Sequence, residues 1–195
     1  MWQDVIIRTA HGEVWHSADE GKTWKKVIDG GDKIGVVDMV FNPKNPNVML
    51  AATWERLRVP YNFYSRSKNN AIYRSTDGGE HWTRSTKGMP TGDLGRIGLS
   101  VMRSDPKVCI ATIDAQAGGV FRSEDEGQSW TKMSATNPRP FYFSLPRQDP
   151  SDANRVYLGG TGIQYSDDKG KTFRNMNIAV HPDFHAFWIL SLIHI

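Results

Sequence analysis

At 195 residues, with 18 glycines, 10 prolines and aromatic side chains at 11%, the chain can bury one sizeable core but is too rich in turn formers for a helical one. Its 24 basic and 21 acidic side chains are scattered, so the net charge of +3 forms no basic stripe and nucleic acid is not an expected partner. No apolar run approaches the roughly 20 residues that cross a bilayer, so no transmembrane segment is expected, and the lone Cys109 cannot close an internal disulfide.

The chain opens on Met1-Trp2-Gln3-Asp4, which lacks the basic and apolar regions of a signal peptide. Residues 4–9 then read as a strand, and 13–16 as a second strand of alternating character. A turn follows at Ser17-Ala18-Asp19-Glu20-Gly21-Lys22-Thr23-Trp24. The same pattern, S-x-D-x-G-x-[T/S/H]-[W/F], opens again at Ser75, Ser123 and Ser166, at intervals of 58, 48 and 43 residues. Its recurring members are Ser17, Asp19, Gly21 and Trp24; Ser75, Asp77, Gly79 and Trp82; Ser123, Asp125, Gly127 and Trp130; and Ser166, Asp168, Gly170 and Phe173. This is the grammar of an Asp-box, or BNR, repeat. The Asp accepts hydrogen bonds from turn amides, the Gly takes a positive φ and the aromatic ring anchors the outgoing strand in the core.

Between boxes a second unit recurs, namely a strand, an Asn/Asp-Pro turn and another strand. It occupies 40–51 around Asn42-Pro43, 104–110 around Asp105-Pro106, and 148–158 around Asp149-Pro150. Each repeat therefore reads as four strands, A to D, with the Pro turn between A and B and the box between C and D. That meander and the blade-sized spacing predict an all-β, partial β-propeller of four-stranded antiparallel blades. The boundaries run 1–30 for a partial blade, 31–88, 89–135 and 136–178 for complete blades, and 179–189 for the first strand of another. The last six residues, 190–195, follow no earlier pattern and resemble a sequencing-adaptor scar. The chain thus reads as a piece of a longer propeller, whose remaining blades are expected partners.

In an up-and-down blade the B–C and D–A connections share one end, and there the sequence stops repeating. A long B–C insertion, 54–68, and D–A connections at 89–96, 137–142 and 181–185 supply a ligand-binding face of Trp54, Arg56, Arg58, Tyr61, Tyr64, Arg96, Arg139, Tyr142, His181, Asp183 and His185. His181, Asp183 and His185 alternate, which puts them on one face of an extended segment. Without a further ligand they do not make a metal site, and neither metal nor cofactor is expected. Asp38, Glu55, Asp93, Asp114 and Asp183 are carboxylates placed where a glycosidase would need two, but no sequence feature pairs any of them, so no catalytic residue is assigned. Arg56, Arg58, Arg66, Arg96 and Arg139 invite comparison with the arginine cluster of sialidases, yet the Arg-Ile-Pro segment of those enzymes is missing.

The runs Ala51-Ala52-Thr53-Trp54-Glu55-Arg56, Gly95-Arg96-Ile97-Gly98-Leu99, Arg139-Pro140-Phe141-Tyr142 and residues 180–188 resemble bacterial secreted proteins with a sortilin-like propeller, known as BNR-repeat or glycosyl-hydrolase-like proteins. The resemblance implies an extracellular or periplasmic, non-catalytic propeller binding a protein, peptide or glycan. Where it implies two adjacent histidines before the final Trp, Phe184 fills the first slot. The alternative is part of a glycoside hydrolase resembling the two-propeller xyloglucanases. A third reading, an assembly factor like the propellers of photosystem biogenesis, fits the long insertion less well.

Overall fold

The computed structural model describes residues 5–8, 13–28, 33–179 and 181–189, which contain no α-helix. Strands β1 (Val5–Arg8), β2 (Val14–Ser17) and β3 (Lys25–Ile28) form a three-stranded sheet. The second sheet takes β4 (Ile34–Asn42), β5 (Asn45–Glu55), β8 (Ile72–Ser75) and β9 (Thr83–Arg84). Between β5 and β8 a separate hairpin, β6 (Leu57–Val59) and β7 (Asn62–Tyr64), is inserted. The third sheet runs β10 (Ile97–Val101), β11 (Cys109–Ile113), β12 (Gly119–Ser123), β13 (Thr131–Ser134), and the fourth β14 (Leu145–Gln148), β15 (Val156–Gly159), β16 (Ile163–Ser166), β17 (Arg174–Asn175). Every pairing is antiparallel and joins strands in sequence order, the meander that the repeat predicts. The molecule is an all-β, partial β-propeller.

The core lies between successive sheets rather than within any one. Val14 meets Val36 and Ala51 at the first junction. Leu50, Ala52 and Ile72 meet Ile97, Leu99, Cys109, Ala111, Ile113 and Phe121 at the second, and Ile110 and Val120 meet Val156 and Leu158 at the third. All five residues of β11 are buried, because an inner strand is covered on both faces and so reads as a short continuous apolar run.

The four repeated hairpins share one hydrogen-bond pattern. The serine hydroxyl donates to the aspartate and accepts the glycine amide, as in Ser17 Oγ to Asp19 Oδ1 at 2.8 Å and Gly21 N to Ser17 Oγ at 2.8 Å. The aspartate then accepts from residue seven, by backbone and by side chain: Thr23 at 2.8 and 2.6 Å, Ser129 at 2.8 and 2.5 Å, Thr172 at 2.8 and 2.6 Å. In the second hairpin His81 takes this place, with Nδ1 2.7 Å from Asp77 Oδ2. The left-handed backbone extends further than the glycine. Residue four is also at positive φ, at Glu20 (62°), Gly78 (74°), Glu126 (59°) and Lys169 (67°). Its amide reaches across to the neighbouring A–B turn in three sheets: Gly78 to Asn47 O, Glu126 to Lys107 O and Lys169 to Asn154 O. The Pro turns carry their own cap, as where Asn42 Oδ1 accepts the Lys44 and Asn45 amides at 2.8 and 3.1 Å.

The glycines of these hairpins also set the distance between sheets. A Cβ at Gly79 would come within 2.7 Å of Ile6, one at Gly127 within 2.6 Å of Leu50, and one at Gly170 within 3.1 Å of Val120, in each case on the preceding sheet. Stitching runs the other way as well, from the residue before the hairpin serine. His16 Nδ1 lies 3.0 Å from Glu80, Arg74 Nε donates to Glu126 O at 2.9 Å, and Arg122 donates to Ala153 O at 3.0 Å.

Two expectations change. Trp130 is 4% exposed, but Trp24 is 37% exposed, so the aromatic residue reaches the core only where a preceding sheet covers it. Residues 181–189 form no strand: Phe184 N donates to Gly160 O at 2.8 Å and the Phe187 ring packs on Gly159. A strand needs a ladder partner, and none lies beside this segment among the described residues. Residues 4 and 9, at the limits of the first predicted strand, and the segment 190–195 lie outside the described residues.

Candidate functional site

The end of the sheets opposite the repeated hairpins is built on the insertion after β5. Trp54 Nε1 donates to Ser65 O at 2.8 Å and fastens the returning arm of the β6–β7 hairpin. Farther along, Ser67 and Leu94 form an antiparallel bridge, which ties this arm to the connection between the second and third sheets. Buried Asn70 locks the junction by accepting the Glu55 amide at 2.5 Å and donating to Leu94 O at 2.6 Å.

One face of the hairpin continues an unbroken line of rings. Trp54 to Phe63 is 6.4 Å between centroids, Phe63 to Phe141 5.8 Å, Phe141 to Tyr142 6.3 Å and Tyr142 to Phe143 4.8 Å; His185 closes the line 5.1 Å from Tyr142 and 4.7 Å from Phe143. Phe63, Phe141 and Tyr142 are 36%, 40% and 48% exposed while Trp54 and Phe143 are buried, so the line is open to solvent between two rings anchored in the core. Arg139 lies over Tyr142 and Phe143 at 5.4 and 5.5 Å, and Arg56 over Trp54 at 5.4 Å. Arg139, Ser144 and Asp183 all hold positive φ angles, of 53°, 63° and 144°, so unfavourable non-glycine backbone gathers beside this stripe.

The other face of the hairpin looks onto a cleft of about 450 Å³ lined by Lys33, Glu55, Leu57, Tyr64, Arg66, Ser67, Lys68 and Asp93. The Ser67 hydroxyl (2.5 Å) and the Asn69 amide (3.2 Å) both donate to Glu55 Oε2, and these bonds hold its carboxyl below the ordinary glutamate value. Arg66 is spent on Asp114, a buried carboxylate 2.6 Å from its Nη2.

The predicted face is thus only partly assembled. Trp54, Arg56, Tyr142, Arg139 and His185 meet along the stripe, Tyr64 lines the cleft, and Tyr61, 89% exposed, stands at the hairpin tip. Arg58 pairs with Phe63 and so shares the stripe side of the hairpin. Arg96 turns inward, donating to the Phe143 carbonyl, and burial pulls its pKa down. His181 joins neither group. Asp183 pairs with His185 at 3.2 Å, and the described residues contain no cluster of three or more His, Cys, Asp and Glu able to hold a metal. Asp38 lies midway along β4, accepting the Leu99 amide at 2.8 Å; burial pushes its pKa up, against that bond and the charges of Arg147 and Arg96. Sequence reasoning missed Phe63, Phe141, Ser67, Asn69 and Asn70. The Leu57/Tyr64 and Arg58/Phe63 alternation marks the hairpin, but no local pattern announces that Phe63 meets a loop 78 residues away.

No helix of the described residues is long and apolar enough to cross a membrane. No family model matches the chain. Among curated proteins it is 32% identical over 106 residues to the probable oligoxyloglucan-reducing end-specific xyloglucanase of Neosartorya fischeri, covering 51% of this chain and 13% of that one. It is 24% identical over 184 residues to a xyloglucanase of Paenibacillus, covering 84% of this chain and 16% of the other. The chain therefore spans about one sixth or less of these relatives. Among solved structures, the GH74 enzyme of Niastella koreensis matches at a TM-score of 0.60 and 23% identity, over 86% of this chain and 27% of that one. An ancestral GH74 enzyme matches at 0.61 and 18%, over 91% and 23%. These likenesses establish a propeller similar to those of glycoside hydrolases.

Proposed function

We propose that this chain is the glycan-binding part of a glycoside-hydrolase-type propeller protein, which takes a β-glucan of the xyloglucan class along its aromatic stripe. The supporting observation is the ring line from Trp54 to His185, open to solvent at Phe63, Phe141, Tyr142 and His185 and held by a cross-bridged insertion, since the apolar faces of pyranose rings stack on such surfaces. The xyloglucanase relatives favour this reading over a protein or peptide ligand. The same reading puts its work outside the cytoplasm, where polymeric glycans are met.

The chain by itself binds rather than cuts. A glycosidase acid must hold its proton near neutral pH. The carboxylate that burial pushes upward, Asp38, is wedged between sheets, while Glu55 is pushed the wrong way. Isothermal titration with xyloglucan oligosaccharides provides the test. Phe141→Ala and Tyr142→Ala should each weaken binding roughly three- to tenfold, the scale of one lost ring contact. Equal affinity of wild type and both variants, or preference for an unrelated peptide array, would overturn the proposal.

A further inference from the structure

The β6–β7 hairpin carries apolar side chains on both faces and at its tip. The pairs Leu57/Tyr64 and Arg58/Phe63 lie on opposite faces, and Tyr61 sits in the turn between the strands. Leu57, Tyr61 and Tyr64 are 48%, 89% and 56% exposed, so the cleft face and the tip are as open as Phe63 on the stripe face. With Phe141 and Tyr142 these side chains are six of the ten large exposed hydrophobics among the described residues, which makes this end of the sheets an apolar patch rather than scattered rings. The charges on the insertion have one sign. Between residues 56 and 68 stand Arg56, Arg58, Arg66 and Lys68 and no carboxylate. Arg66 is committed to Asp114, whereas Arg56, Arg58 and Lys68 are exposed and form no ion pair among the described residues. The cleft adds Lys33 against Glu55 and Asp93, so a positive excess remains.

We infer that the hairpin is a membrane-contacting wedge, which sinks Leu57, Tyr61 and Tyr64 into the headgroup layer of an anionic phospholipid bilayer while Arg58 and Lys68 meet its phosphates. A stacked saccharide covers the stripe face alone, and a folded protein would need a pocket enclosing both faces and the tip. A fluid layer covers all three at once. Three residues in each arm, at about 3.3 Å per residue, carry the tip roughly 10 Å, the depth to which interfacial segments sink. Tyrosine suits that depth, with its ring among the acyl carbons and its hydroxyl in water, and each cation nearby is drawn to the negative surface. The wedge does not rest on the glycan reading, because Tyr61 takes no part in the ring line. The two together would hold the stripe beside a membrane surface.

The test floats the full chain with vesicles of phosphatidylcholine and phosphatidylglycerol in equal parts, and with phosphatidylcholine alone. Wild type should partition about tenfold or more strongly onto the anionic vesicles, and high salt should release it. Tyr61→Ser should weaken that partitioning about tenfold through lost apolar burial, and Arg58→Gln about three- to fivefold through one lost charge. Lys107→Gln removes an exposed cation at the opposite end of the sheets and should change nothing. Equal partitioning onto both vesicles, or a loss at Lys107 matching that at Arg58, would overturn the wedge. Tyr61→Ser should also leave binding of xyloglucan oligosaccharides as it is; if it weakened that binding and spared flotation, the tip would belong to the glycan site and the wedge would fall. No flotation by a chain that still binds oligosaccharide would overturn the wedge and leave the stripe intact.

Discussion

The fifth residue of each repeated hairpin must be glycine for two separable reasons, and the structure allows them to be separated. At Gly127 the φ of 81° meets a crowded neighbour, with Leu50 Cδ2 2.6 Å from where a Cβ would stand. At Gly92 the φ is 89° but the surroundings are open. Gly92→Ala should therefore cost about 1 kcal/mol in urea unfolding, the left-handed penalty alone. Gly127→Ala should cost about 2–4 kcal/mol, because overpacking is added to it. Equal losses at the two sites would mean that Leu50 yields freely. The aspartates two positions earlier predict a pH effect. Hydrogen bonds from Thr23 hold Asp19, and those from Thr172 hold Asp168, at about 2, against 3.8 ordinarily; His81 lowers Asp77 further still. A depressed folded value contributes stability above the unfolded value and loses it as pH falls through the folded one, so the urea midpoint should drop progressively from about pH 4 to pH 2. Asp168→Asn should flatten part of that slope; an unchanged profile would remove these bonds as its cause.

At the scale of elements, the insertion after β5 breaks the repeat and is tied to the rest of the fold at its returning arm. Asp114, at the end of β11, is buried beneath Arg66, which arrives from the insertion. Arg66→Ala should destabilise the chain by about 1–3 kcal/mol, the cost of a buried acceptor left unpaired, discounted here because the arginine is half exposed. A double variant with Asp114→Ala should recover part of that loss, which paired urea curves would show. The blade strands were legible in the sequence, since apolar alternation, Asx-Pro turns and the hairpin pattern are local signals that repeat. The insertion was legible only as an interruption. Its partners, Leu94, Asp114 and Phe141, lie in the connections that follow β9, β11 and β13 and were brought to it by the propeller rather than by neighbouring sequence. The same reasoning explains why Arg96, a loop arginine by position, turned out to serve a backbone carbonyl.

Across the whole molecule, stability resides at the junctions between sheets, and Cys109 sits inside the largest of them. Burial foremost, with Glu126 and Asp125 nearby, raises its thiol to about 12. Labelling by a thiol reagent at pH 8 should consequently be slow in the native chain and should accelerate with urea well before the midpoint if the second and third sheets can part independently. Labelling that follows global unfolding alone would show instead that the junctions fail together. The repeat made the number and order of four-stranded sheets readable in advance, whereas Trp24 showed what it could not convey, that the same residue type is core or surface according to whether a sheet precedes it. The two-way stitching carries a final consequence. The second and third sheets each offer a glycine ledge backward and an Arg hook forward, so such a sheet excised from one position and spliced into another will seat only if the recipients carry a small apolar patch and an acceptor at matching heights. Duplication of a blade in tandem meets both conditions automatically, and shuffling between unrelated propellers does not.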